Sequence, residues 1–167
     1  MPTTATPNVS RTHRSTLTRR VNDTLEQLLA QRVFHQLELG KARVGRITHR
    51  LHWHRDGIHR FVLDFDAGAV SIPSLLPTNL PPALLREIRS FIRPVCANSA
   101  KERSQLDPDK GELRTFEKHG SLTVSITVRN DAYEYCTDQL VRLANQVLGT
   151  FRTSVHDVAS ARTQMSA

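Results

Sequence analysis

The sequence predicts an α+β fold, a two-layer sandwich in which an antiparallel sheet packs against helices. Several segments alternate apolar and polar side chains with a period of two, as strands with one buried face do. Three others carry a single apolar stripe at helical spacing. These segments follow the order α-β-β-β-α-β-β-α. The chain of 167 residues, 38% of them apolar, is long enough for one such domain.

The first helix is predicted over about 17–39, where apolar residues recur at three- and four-residue steps before Gly40. Two alternating segments, 43–54 and 58–66, then form a hairpin. A three-residue loop, Arg55-Asp56-Gly57, keeps the apolar side chains of both strands on one face. This register pairs Leu51 with Phe61, Ile47 with Phe65 and Arg46 with Asp66.

A third strand is predicted over about 69–73, and Pro73 ends it, which favours a position at the edge of the sheet. The second helix begins with Pro81 and Pro82. Its apolar stripe comprises Leu84, Leu85, Ile88, Phe91, Ile92 and Val95.

Residues 112–118 and 122–128 form a second hairpin, whose three-residue loop sets Phe116 opposite Val124. Asn130 or Asp131 then caps the last helix. The apolar stripe of that helix comprises Cys136, Leu140, Leu143, Ala144, Val147, Leu148 and Phe151.

We predict one domain over 17–155 between two polar tails. Residues 1–16 have no apolar period and are expected to be a disordered basic tail, and 156–167 a frayed C-terminal tail. The chain has no apolar core of a Sec signal peptide at its start and no apolar run long enough to span a bilayer. A cytoplasmic location is therefore expected, with export by another route left open.

The positive charge lies in the first third of the chain. The net charge is +7, and residues 1–60 carry all of it, with eleven Lys and Arg against four Asp and Glu. This imbalance indicates an anionic partner, which could be nucleic acid, an anionic membrane surface or an acidic protein. Compositional bias is the alternative, because Arg outnumbers Lys 19 to 4, as a GC-rich bacterial coding sequence would produce.

One face of the first hairpin is the candidate binding site. Alternation places five residues there, which we call the basic strip: Arg46, Arg50, His52, His54 and Arg60. Arg19 and Arg20, with the arginines before them, could add a flexible basic arm. The aromatic side chains of Trp53, Phe61 and Phe65 fall on the opposite face. Nucleic-acid binding by the strip would therefore be electrostatic and weakly specific, and a plain solvated face is the alternative.

No motif indicates catalysis, a metal or a cofactor. His49, His52, His54 and His59 are close in sequence, but alternation divides them between two faces and arginines flank them. There is no nucleophile elbow and no Gly-rich phosphate loop.

Two further pairs of reactive residues have structural explanations. Cys96 and Cys136 fall near apolar stripes, as small buried hydrophobic residues do. Asp64 and Asp66 share one strand face, with Thr48 and Arg46 respectively opposite them in the predicted register. A cross-strand ion pair between Asp66 and Arg46 explains them better than acid–base chemistry.

The order of elements resembles that of class I type III secretion chaperones over roughly residues 17–155. The resemblance implies a small α+β subunit that dimerises and binds extended segments of effector proteins. Those chaperones are acidic, whereas this chain is basic. We therefore expect a non-enzymatic bacterial protein that binds a protein partner or a second copy of itself, through the basic strip or an apolar sheet edge. The alternative is a low-specificity nucleic-acid binder that uses the basic strip and the N-terminal arginines.

Overall fold

Seven antiparallel strands and three helices make up the part of the chain that the computed structural model describes, which is residues 11–53, 57–76, 80–96, 106–118 and 121–165. The predicted α+β class and the predicted order of the main elements are confirmed. Two short strands that the sequence analysis does not predict precede the first hairpin.

The helices are α1 (Arg11–Ala30), α2 (Pro82–Cys96) and α3 (Tyr133–Met165). The strands are β1 (Gln36–Glu38), β2 (Ala42–Arg43), β3 (Arg46–Trp53), β4 (Gly57–Asp64), β5 (Ala69–Leu76), β6 (Gly111–Lys118) and β7 (Ser121–Val128). Across the sheet the order is β1-β3-β4-β5-β7-β6, and β2 also pairs with β3.

The helices cover one face of the sheet. α1 packs on α3, α3 packs on β5 and β7, and α2 packs on α3 and β6. Alternate side chains of each long strand enter the core between these layers, as Leu51, Phe61, Val70 and Val124 do. No helix among the described residues lies over the opposite side of the sheet, which we call the uncovered face. No described helix has both the length and the apolar character needed to cross a bilayer.

The predicted register of the first hairpin is wrong by two residues. Leu51 lies opposite His59, Ile47 opposite Leu63 and Arg46 opposite Asp64. Trp53 pairs with Gly57, so the three connecting residues lie one position earlier in the chain than predicted, and this moves every pair by two residues. A shift of two residues leaves each side chain on its predicted face. The predicted loop residues Arg55 and Asp56 lie outside the described residues.

The predicted register of the second hairpin is wrong by one residue, so the side chains of β6 point to the opposite faces of the sheet from those predicted. Lys118 pairs with Ser121, which leaves a connection of two residues rather than three. Phe116 therefore faces Thr123 on the uncovered face and is 49% exposed. Leu113 enters the core instead.

β5 is an interior strand, and the prediction of a sheet edge is wrong. It continues through Pro73 to Leu76 and lies between β4 and β7. The pairing with β7 shifts between Ile72 and Leu76, and Ser74 has a φ of +50°. Such a bulge accommodates proline, because a residue in it need not donate to the ladder.

The helix ends also differ from those predicted. α1 begins within the predicted tail and ends well before Leu39, because Arg32 adopts a φ of +60°. The N–H of Arg32 donates to the carbonyl of Leu29 and that of Val33 to the carbonyl of Leu28, which is a Schellman motif. α3 continues to Met165, through most of the predicted C-terminal tail. Residues 1–10 and 166–167 of the predicted tails lie outside the described residues.

The turn between β2 and β3 holds a valine in a strained backbone conformation. Val44 has a φ of +49° and is 97% exposed, and Gly45 follows with a φ of +73°. Asn-Gly is the preferred pair for two successive positive φ values, whereas a β-branched residue disfavours them. We expect Val44→Asn to raise the free energy of unfolding by about 1 kcal/mol in urea denaturation. Val44→Ile, which keeps the branch, should match the wild type, and a less stable Val44→Asn variant would contradict the strain.

Candidate functional site

The basic strip lies on the uncovered face of the sheet. Arg46, Arg50 and Arg60 are exposed on two adjacent strands, as predicted from the alternation. His52 shares this face, and its Nε2 lies 3.1 Å from Oε2 of Glu38. His54 lies outside the described residues.

The N-terminal arginines do not extend the strip. Arg19 and Arg20 belong to α1, whose apolar side packs in the helical layer on the other face of the sheet. Arg20 lies 3.9 Å from the carboxylate of Glu134 in α3. The predicted flexible arm is therefore helical over these residues and points away from the uncovered face.

Two pairs of arginines face each other across neighbouring strands. Arg43 lies opposite Arg46, and Arg50 lies opposite Arg60. The Cβ atoms of directly opposed residues are about 5 Å apart, and like charges at that separation destabilise a sheet. The sequence analysis missed both pairs, because the first depends on an unpredicted strand and the second on the correct register. An anion bound between the guanidinium groups would relieve this repulsion.

Acidic side chains balance only part of this charge. Arg46 donates to Oδ2 of Asp64, with the shorter contact at 3.0 Å. Arg50 is 3.9 Å from Oε2 of Glu38. No acidic side chain in the described part of the chain lies within ion-pair distance of Arg43 or Arg60. The face therefore keeps an excess of positive charge.

A shallow cleft adjoins Arg46 at the edge of the sheet. It has a volume of about 470 Å³ and is lined by Lys41, Arg43, Arg46 and Thr48. All of its lining side chains can donate hydrogen bonds, and three carry positive charge. The cleft can accept a phosphate or carboxylate group with charge-assisted hydrogen bonds. Lys41 and Arg43 were not part of the predicted site.

The histidines are divided between the two faces, as predicted. His49 is buried under the helices, where its Nδ1 accepts the N–H of Gly40 at 2.9 Å, and its Nε2 has no hydrogen-bond partner among the described residues. Burial lowers the pKa of His49 to about 4. His59 is on the same face, edge-on to Trp53. In the described ranges no three His, Cys, Asp or Glu side chains converge in the way a metal ion requires.

The other candidate reactive groups have structural partners. Cys136 is fully buried, its Sγ donates to the carbonyl of Lys110, and burial raises the pKa of the thiol to about 12. The side chain of Cys96 lies outside the described residues. Asp64 pairs with Arg46, and Asp66 pairs with Arg14 at 3.1 Å. The predicted pair of Asp66 and Arg46 is wrong because the observed register sets Arg46 opposite Asp64.

Comparison with known proteins assigns no relative to this chain: no family model, no curated protein and no solved structure matches it.

Proposed function

We propose that this chain is a non-enzymatic binding module that holds single-stranded nucleic acid on the uncovered face of its sheet. The two opposed arginine pairs, Arg43 with Arg46 and Arg50 with Arg60, carry the proposal. Guanidinium groups bind phosphate through two parallel hydrogen bonds, which makes arginine well suited to a phosphate backbone. The same proposal locates the protein in the cytoplasm, where it would meet nucleic acid.

The spacing of the arginines suits a polymer with repeated charges. Opposed residues on neighbouring strands are about 5 Å apart, and Arg46 and Arg50 are separated by four residues of β3, or roughly 13 Å. A single small anion could not contact all four arginines, whereas successive phosphates of one strand could. Binding is expected to be weakly specific for sequence, because phosphate contacts carry no base information.

A protein partner is the competing hypothesis. The apolar sheet edge that would support self-association is absent from β5, which is an interior strand. The basic strip could instead receive an acidic protein segment. Nucleic acid is favoured because the four arginines outnumber the two exposed large apolar side chains of this face, Ile58 and Phe116, and protein interfaces usually have a desolvated apolar centre.

Fluorescence anisotropy with a labelled 20-nucleotide single strand tests the proposal across a salt series. We expect micromolar binding near physiological salt that weakens steeply as salt rises. In the double variant Arg50→Ala/Arg60→Ala, affinity should fall at least roughly tenfold and the salt slope should drop by about two.

The matched control is Arg19→Ala/Arg20→Ala, which removes the same charge from the opposite layer. It should bind nearly as the wild type does. No binding at 50 mM salt, or an equal loss in both double variants, would contradict the proposal. Tighter binding of poly-glutamate than of an oligonucleotide of equal charge would identify an acidic protein as the partner.

A further inference from the structure

The uncovered face has the shape of a trough. Its floor is formed by β5 and β7, which present only small side chains there: Ala69, Ser71, Pro73, Thr123, Ser125 and Thr127. One wall is formed by the long side chains of β3 and β4, including Arg50 and Arg60. The other wall is formed by β6, which presents Glu112, Arg114 and Phe116, with the guanidinium of Arg114 3.5 Å from the carboxylate of Glu112.

The dimensions follow from the sheet. β4 and β6 are separated by three strand spacings, or about 14 Å, with β5 and β7 between them. One row across the trough runs from Val62 through Ser71 and Ser125 to Arg114. The hydroxyl of Ser125 donates to the carbonyl of Val70, whereas that of Ser71 makes no hydrogen bond within the described residues.

Phe116 is the one aromatic side chain that the described residues place on the uncovered face. It is 49% exposed and has no ring contact with another described aromatic residue. The other exposed phenylalanine, Phe91, belongs to α2 and packs edge-on against Phe151. A free aromatic ring beside a basic surface is the arrangement on which single-stranded bases stack.

We propose that Phe116 is a base-stacking residue and that single-stranded nucleic acid occupies the trough. This inference rests on the proposed function and adds a contact to the bases. Phosphates lie along the arginines of β3 and β4, and a base stacks on Phe116 across the hydroxyl-bearing floor. An aromatic ring can stack on any base. The site is therefore expected to bind a strand that carries bases more tightly than an abasic strand, without preferring one sequence over another.

Two oligonucleotides with equal numbers of phosphates test the inference. One is oligo-dT, and the other is an abasic strand of the same length. The wild type is expected to bind oligo-dT roughly 5- to 100-fold more tightly than the abasic strand. Phe116→Ala and Phe116→Leu should both remove this preference while leaving the salt slope unchanged. Phe116→Trp should restore the preference for oligo-dT, and oligo-dT should quench the tryptophan fluorescence of this variant.

The double variant Arg50→Ala/Arg60→Ala is the complementary control, because it should lower the salt slope and keep the preference for bases. Equal binding of both strands by the wild type, or a preference that survives Phe116→Ala, would overturn the stacking role while the proposed function stands. Absence of binding to both strands at low salt would overturn the proposed function itself.

Discussion

Phe61→Ala is expected to lower the free energy of unfolding by about 3–5 kcal/mol, whereas Phe116→Ala should change it by less than about 0.5 kcal/mol. Phe61 is fully buried and stacks on the imidazole of His49, with ring centroids 6.2 Å apart. Its truncation leaves a cavity in the centre of the core. Phe116→Ala removes only a half-exposed ring and leaves no cavity in the core. Urea denaturation of both variants measures the difference.

The comparison also tests the register of the second hairpin. If the register predicted from the sequence were correct, Phe116 would occupy the core and Leu113 would face solvent. Phe116→Ala would then destabilise the protein strongly, and Leu113→Ala would be harmless. We expect the reverse, with a loss of about 2–5 kcal/mol for Leu113→Ala. A stable Phe116→Ala variant also ensures that its nucleic-acid binding can be compared with that of the wild type.

Acid is expected to destabilise the protein through His49. Burial lowers the pKa of this side chain from its ordinary value of 6.5 to about 4 in the folded chain. The unfolded chain therefore binds a proton more tightly than the folded one. The stability that the neutral imidazole contributes is complete above pH 6.5 and is lost as the pH falls toward 4. The loss over this window is about 3 kcal/mol.

Protonation would also break the contact that holds the chain near Gly40. A protonated Nδ1 cannot accept the N–H of Gly40, and a side chain at Gly40 would overlap the carbonyl oxygen of Thr48, so the two segments are in close contact. In His49→Phe the dependence of stability on pH between 6.5 and 4 should be flatter, whatever its stability at neutral pH. NMR should show the wild-type imidazole neutral at pH 5. If stability in His49→Phe depended on pH as it does in the wild type, His49 would not be the cause of the loss of stability in acid.

The faces of the first hairpin were predictable from the sequence, and its pairs were not. Alternation alone places Arg46, Arg50 and Arg60 on one side, and a register error of two residues does not alter that result. The opposition of Arg50 and Arg60 depends on which three residues connect β3 to β4, and alternation fits residues 55–57 as well as the residues between the observed pair Trp53 and Gly57.

For the second hairpin, the sequence did not predict the faces of the strands correctly. Its strands were found correctly, but an error of one residue in the connection set Phe116 opposite Val124, on the core side of β7, instead of opposite Thr123. Both Leu113 and Phe116 are apolar, so the local pattern fits either choice. The packing of β6 beside β7 and under α2 decides between them, since Leu113 lies opposite Ile126 in the core. The stacking residue of the proposed site was therefore hidden from the sequence.

The sequence by itself determined the α+β class, the order of the main elements, the concentration of charge in the first third and the faces of the first hairpin. These follow from composition and from periodicity, which are local properties. Only the tertiary structure decided that β5 is an interior strand, that Arg19 and Arg20 lie behind the sheet, and that Phe116 shares a face with the arginines. Those facts depend on register and layer order, which are determined by contacts between residues distant in sequence.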